Sequence, residues 1–303
     1  MVISFRLGKI PVRILPSFFL VTVFINLDLA TRAPQKLIAW ALIVLVSVML
    51  HELGHAIAGL AFGLEPRIDL HGMGGTTSWT TTRILSTGKR VVISLAGPAA
   101  GFLVAAVVAM ARGAQPGLLP NFVYGQLLWV NLGWGVLNLL PMLPLDGGNV
   151  MTHLLGALTH GHGERPARIV SMVVATLATL LAASVQQWWP ALLACSFVAS
   201  NWRGLKDLAA REQDAPMRHA LEQAYAALDA KDAAKVLALA RPVALESRTA
   251  PVRAEALQLL AFGFLLEGRV ADADAAIAAL PKGYAPHASL LDLRASVRGA
   301  ASP

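Results

Sequence analysis

Residues 37–62 read LIAWALIVLVSVMLHELGHAIAGLAF, an apolar run whose only ionisable residues are His51, Glu52 and His55. About 20 apolar residues in helical form cross the hydrocarbon core of a bilayer. In lipid the backbone must satisfy its own polar groups, so this run predicts a membrane-spanning helix. Successive helical residues turn by about 100°, which puts His51 and His55 about 40° apart, with Glu52 inside the same arc. All three can address one point. Two imidazoles can ligate zinc at about 2.0 Å while the carboxylate, held just beyond ligand distance, takes a proton from water. The competing reading is a polar cluster that pairs helices. Three ionisable groups in one apolar turn cost several kcal/mol unless a metal or mutual pairing offsets them, which favours the metal.

The rest of the 303-residue chain has the same character, with 56% apolar and 14% charged residues. An ordinary soluble domain carries about 25% charge, so a wholly soluble globular protein is nearly ruled out. Residues 1–203 hold 13 Lys/Arg and 6 Asp/Glu, whereas residues 204–303 hold 12 of each. The net charge of +7 therefore belongs to the apolar part. Its cations stand singly between apolar runs, with no basic stripe or stacking motif, and no nucleic-acid partner is expected. The lone Cys195 gives neither a disulfide framework nor a thiolate zinc site.

Further apolar runs lie at 14–27, 91–111, 118–145, 167–185 and 188–202, the first and last of them short. The expected fold is an all-α polytopic membrane protein of about six transmembrane helices, followed by a small soluble α-helical domain. Domain boundaries are expected at 1–203 for the membrane-embedded part and 204–303 for the tail. With six crossings, Arg6, Lys9, Arg13, Arg67, Arg83, Lys89, Arg90, Arg165, Arg168, Arg203, Lys206 and Arg211 fall on one side. The other side receives Arg32, Lys36 and Arg112. Cytoplasmic segments retain positive charge, so both termini are expected in the cytoplasm. A cleavable signal peptide is the lesser reading of the first run. In the tail, Tyr225, Ala234 and Ala238 recur 39 positions later as Phe264, Ala273 and Ile277, a loose repeat that resembles tetratricopeptide-like helix pairs.

A catalytic zinc takes three protein ligands and keeps one position open. The fourth run ends in NLLPMLPLDGG, residues 138–148, which sets Asp146 among prolines and glycines at membrane depth. Broken backbone there is tolerated where it lines a protein cavity, so Asp146 is presented to a buried site; a turn capping a span is the alternative. With HELGH at 51–55, Gly74-Gly75, Ala96-Gly97-Pro98 and NLLPMLPLDGG, residues 10–155 resemble the site-2 protease family of intramembrane zinc metalloproteases. The likeness is to its compact branch, in which no PDZ domain separates the motifs. The resemblance implies one zinc per chain held by His51, His55 and Asp146, with Glu52 as general acid/base. It matches Asn138 to the family's asparagine near the substrate. It puts Gly74 and Gly75 in a membrane-associated hairpin whose exposed edge can pair with an unwound substrate strand.

The expected activity is hydrolysis of a peptide bond within or near a transmembrane segment of another membrane protein, in a cell's inner membrane. The substrate is then a protein with a transmembrane helix, and the 204–303 tail is a candidate for a separate protein partner. A metal-binding carrier or scaffold without protease activity is the alternative, and a general base beside two ligands speaks against it. His153, His160 and His162 read as a polar loop, His71 as loop filler, and Trp188, Trp189 and Trp202 as an interfacial belt.

Overall fold

The computed structural model describes residues 2–80, 85–114 and 120–300. Arg83, and the start of the fourth apolar run at residues 118 and 119, lie outside them. Contacts divide the chain into two compact units, Met1–Trp202 and Arg203–Pro303.

The first unit opens with strands β1 (Ile3–Leu7) and β2 (Ile10–Ile14), then helices α1 (Pro16–Ile25), α2 (Asp28–Arg32) and α3 (Pro34–Ala61). Strands β3 (Pro66–His71) and β4 (Gly74–Trp79) follow. The sheet runs in the order β1-β2-β3-β4, with β2 and β3 parallel and the outer pairs antiparallel. This corrects the all-α expectation. Ile10, Val12 and Ile14 alternate with Pro11 and Arg13, and Ile68 and Leu70 with Arg67 and Asp69, so one face is apolar with a period of two. That face packs on Phe18 of α1 and on Val48 and Ala56 of α3. On the other face, Arg13 donates to both carboxylate oxygens of Asp69 at 2.6 and 2.8 Å. The Arg13 guanidinium holds the Asp69 carboxyl below its ordinary range. Strands of five or six residues are invisible to a search for long apolar runs, and the run at 14–27 had merged the end of β2 with α1.

After the sheet come α4 (Thr87–Ala114), α5 (Asn121–Leu128), a π-helical turn (Trp129–Gly133), α6 (Trp134–Asn138), α7 (Asp146–Leu158) and α8 (Glu164–Ser184). Helix α9 (Trp188–Asp229) contains the boundary between the units. Among the described residues, three helices are long and apolar enough to cross a membrane: α3, α4 and α8. Helix α1 has ten residues, about 15 Å of rise, half the thickness of a hydrocarbon core. Large apolar side chains are exposed on the long helices, for instance Leu42 and Val46 on α3 and Leu103 and Val107 on α4. Helices α3 and α4 cross closely, since a Cβ on Gly54 would strike the backbone carbonyl of Ala96.

In the second unit, the end of α9 is followed by α10 (Ala233–Glu246), α11 (Ala250–Leu266), α12 (Val270–Ala278) and α13 (Ala288–Ala300). Leu221, Val236, Leu259, Leu265 and Leu290 form the centre of its own core. Asp232 caps α10 by accepting from the Lys235 amide at 3.0 Å.

Candidate metal centre

Helix α3 carries His51, Glu52 and His55, all buried, on the face turned towards α4 and the sheet. Asp146 begins α7, directly after the Pro141–Leu145 bend, and its carboxylate meets the two imidazoles. His51 Nε2 and Asp146 Oδ2 are 3.1 Å apart, His51 Nε2 and His55 Nε2 3.2 Å, and His55 Nε2 and Asp146 Oδ1 3.3 Å. Donors held 2.0–2.1 Å from a tetrahedral zinc lie about 3.3 Å from one another, so the triangle has the dimensions that such an ion requires. Among the described residues, these are the His, Cys, Asp and Glu side chains grouped closely enough to hold a metal.

The tautomer also fits. His55 Nδ1 lies 2.7 Å from the carbonyl of Ile93 in α4, a partner that only accepts, so this nitrogen carries the proton. The lone pair of Nε2 is thereby left facing His51 and Asp146, as a metal-ligating histidine needs.

Glu52 stands beside the triangle. Thr77 of β4 donates to Glu52 Oε2 at 2.7 Å, and the same hydroxyl reaches the Glu52 carbonyl at 3.1 Å. A Cβ on Gly75 would collide with the Glu52 carboxylate, so this strand position must be glycine for β4 to lie against the site. Gly97 has the same function on α4, because a Cβ there would strike the imidazoles of His55 and His51. Gly74, Gly75, Asn138 and Asp146 all line one cavity of ≈ 990 Å³ together with His51 and Glu52. Asn138 is buried at the end of α6.

His71 and His153 line the same cavity without joining the donor triangle, and His160 and His162 are exposed between α7 and α8. Thr77, Gly97 and the Ile93 carbonyl were not anticipated as supports of the site. They come from β4 and α4 and act across space, and a search for ionisable spacing gives no weight to threonine, glycine or a main-chain oxygen. The triplet Ala96-Gly97-Pro98 was the one available signal for Gly97.

Residues 114–182 match the family model described as peptidase family M50. The chain is 32% identical over 187 residues to a Synechocystis sp. protein whose name assigns it to the zinc metalloproteases, covering 56% of this chain and 48% of that one. It is 29% identical over 157 residues to a zinc metalloprotease of Methanocaldococcus jannaschii, covering 50% and 44%. The chain thus spans about half the length of the curated relatives it matches. A solved structure of a site-2 protease from M. jannaschii has the same fold, with a TM-score of 0.53 and 22% identity, over 68% of this chain and 95% of that one.

Proposed function

We infer that this chain is a membrane-embedded zinc endopeptidase of peptidase family M50 that hydrolyses a peptide bond within or beside a transmembrane helix of another protein. The observation that carries this reading is the donor triangle of His51, His55 and Asp146 with a carboxylate, Glu52, fixed beside it. Zinc held by the three donors would supply a Lewis acid that polarises the scissile carbonyl and makes water acidic enough to ionise near neutral pH.

The protein's own residues do the remainder. Glu52 accepts a proton from the attacking water and returns it to the leaving amine, and the Thr77 hydroxyl keeps its carboxylate in one orientation for both transfers. Asn138, on the wall of the same cavity, is suited to hold the substrate backbone or the developing oxyanion. A substrate helix hides its carbonyls in its own hydrogen bonds and must unwind before attack. Strand β4 ends the sheet order, and its Gly74-Gly75 end borders the cavity, so an unwound segment can add to that edge.

The cavity belongs to a unit with three helices fit to cross a membrane, which makes a membrane-protein substrate the natural one. Both termini are assigned to the cytoplasm from the charge asymmetry, and the membrane to a cell's inner membrane. The 204–303 tail is assigned the binding of a regulatory protein or of the substrate's cytoplasmic portion.

The test is metal analysis and cleavage by detergent-purified protein. The expected result is about one zinc per chain, with Glu52→Gln retaining the metal and losing cleavage. Undiminished turnover by Glu52→Gln would exclude this mechanism, and wild-type protein that binds zinc but cleaves nothing would make a metal-binding carrier the better description.

A further inference from the structure

Helices α8 and α9 contribute no donor to the metal centre, yet they hold the segment that delivers Asp146. Between α6 and α7 the chain makes a bend at 139–145 that contains Pro141 and Pro144, neither of which has an N–H. Backbone groups in such a bend need partners from elsewhere. At Leu143, three residues before Asp146, both groups are satisfied by side chains. Its amide donates to Ser171 Oγ of α8 at 2.8 Å, and its carbonyl accepts from Asn201 Nδ2 of α9 at 2.8 Å.

Each of those side chains is also anchored to its own helix. Ser171 Oγ donates to the Ala167 carbonyl at 2.7 Å, and Asn201 Nδ2 donates to the Phe197 carbonyl at 2.9 Å. Both are sealed from solvent, at 0% and 1% exposure. Helix α7 also packs on the bend through Gly147 and Gly148, where a Cβ would strike the backbone of Leu139, Leu140, Met142 and Leu143. The bend is therefore held by side chains of α8 and α9 and packed closely against α7. Asn201 accepts a cost for its part, because its Oδ1 is buried without a partner. An apolar residue would avoid that cost, so the asparagine is retained for what its Nδ2 holds.

We propose that Ser171 and Asn201 are positioning residues for the third metal ligand: by fixing Leu143 from both sides they set the Asp146 carboxylate against His51 and His55. This rests on the reading of the three donors as a metal centre. A role in packing alone and a role in positioning differ in what a substitution changes. Packing predicts lost stability of the metal-free protein. Positioning predicts weakened and distorted metal binding in a protein that still folds.

The experiment uses full-length protein in detergent, stripped of metal and titrated with cobalt(II), with visible absorption as the readout and zinc competition for affinity. Wild type is expected to give the intense bands of a tetrahedral site, and Asp146→Ala to lose them. Ser171→Ala and Asn201→Leu are expected to shift those bands and lower affinity about tenfold, the scale seen when groups supporting a metal ligand are removed. Both metal-free variants should still unfold cooperatively, at a somewhat lower temperature because one buried backbone group of Leu143 loses its partner. The band shift is the readout that lost stability alone does not move. Thr179→Ala serves as control, since its hydroxyl bonds within α8 to the Ala175 carbonyl at 2.8 Å. It should match wild type throughout. Wild-type spectra and affinity in both Ser171→Ala and Asn201→Leu would overturn the proposal, as would lowered stability with wild-type band positions. No tetrahedral spectrum in wild type, or an unchanged one in Asp146→Ala, would overturn the metal centre and the positioning role with it.

Discussion

Gly97 sets how closely α4 can approach the two imidazoles, and a single methyl group there would occupy the space of His55 Nε2. Neither ring can move away freely, because His55 is tied to Ile93 through Nδ1 and both rings are buried. Gly97→Ala is therefore expected to lower zinc affinity about 10- to 100-fold, as read by competition with a chelator. Full-strength zinc binding in that variant would mean that α4 shifts to make room. Thr77→Val tests a different property. It removes the donor to Glu52 but no metal ligand, so zinc stoichiometry should be unchanged while kcat falls about tenfold, the scale of lost outer-shell support. A fall in zinc content instead would show that Thr77 supports the metal and not the base. The sequence made His51, Glu52 and His55 legible because they share one helical turn. Asp146 was legible from the prolines and glycines around it. Thr77 and Gly97 were not, because their partners lie on α3, at sequence separations that no periodicity connects.

At the scale of elements, the long apolar helices were readable from length and hydropathy, and the sheet was lost for the same reason. Beside runs long enough to cross a bilayer, the five-residue alternation of Ile10, Val12 and Ile14 looks like connecting sequence. It is nonetheless the sheet that carries Thr77 and Gly75 to Glu52. In the second unit one carboxylate ties helices together in a way that spacing could not reveal. Asp214 of α9 accepts from the Arg248 amide at 2.8 Å and from the Thr249 amide and hydroxyl at 2.7 and 2.6 Å, at the start of α11. Burial pushes its carboxyl up, but these bonds outweigh burial and hold it below the ordinary range. A depressed carboxylate stabilises the fold fully above its unfolded value of about 3.9 and loses that contribution as pH falls through the lower folded value. Asp214→Ala is thus expected to cost about 2 kcal/mol at neutral pH. Hydrogen exchange of the α11 amides would report it, with variant and wild type converging in acid once the pH has fallen below the depressed folded value. A difference that persists undiminished in acid would assign the effect to packing and not to charge.

For the whole molecule, the assigned topology and the assigned role of the tail meet at α9. Eleven of the twelve cations on the side assigned to the cytoplasm lie among the described residues, with Arg83 outside them. Helix α1 is too short to cross alone, so an odd or even number of crossings depends on how 14–27 is accommodated, and reporter fusions decide it. Fusions after Lys206 should read cytoplasmic, and fusions at Gln186 or Gln187 external; an external reading at Lys206 would move the tail to the opposite face. The tail has its own buried core and balanced charge, while every residue assigned to chemistry precedes Gly148. If the tail is the helix-pair repeat proposed from its sequence, such stacked pairs leave surfaces that bind peptides or helices. A binding unit tethered to the membrane part raises the local concentration of whatever substrate portion it holds, without touching the reacting bond. Truncation after Arg211 is accordingly expected to leave an inserted, zinc-loaded enzyme that cleaves an unwound model peptide at the full rate. The same enzyme should handle its natural substrate with a raised KM or with altered site selection. Equal processing of both substrates by the truncated and full-length enzymes would remove the regulatory role. Joint loss of zinc and membrane insertion would make the tail a structural requirement of the catalytic unit, with Asn201, just before the boundary, as the first residue to examine.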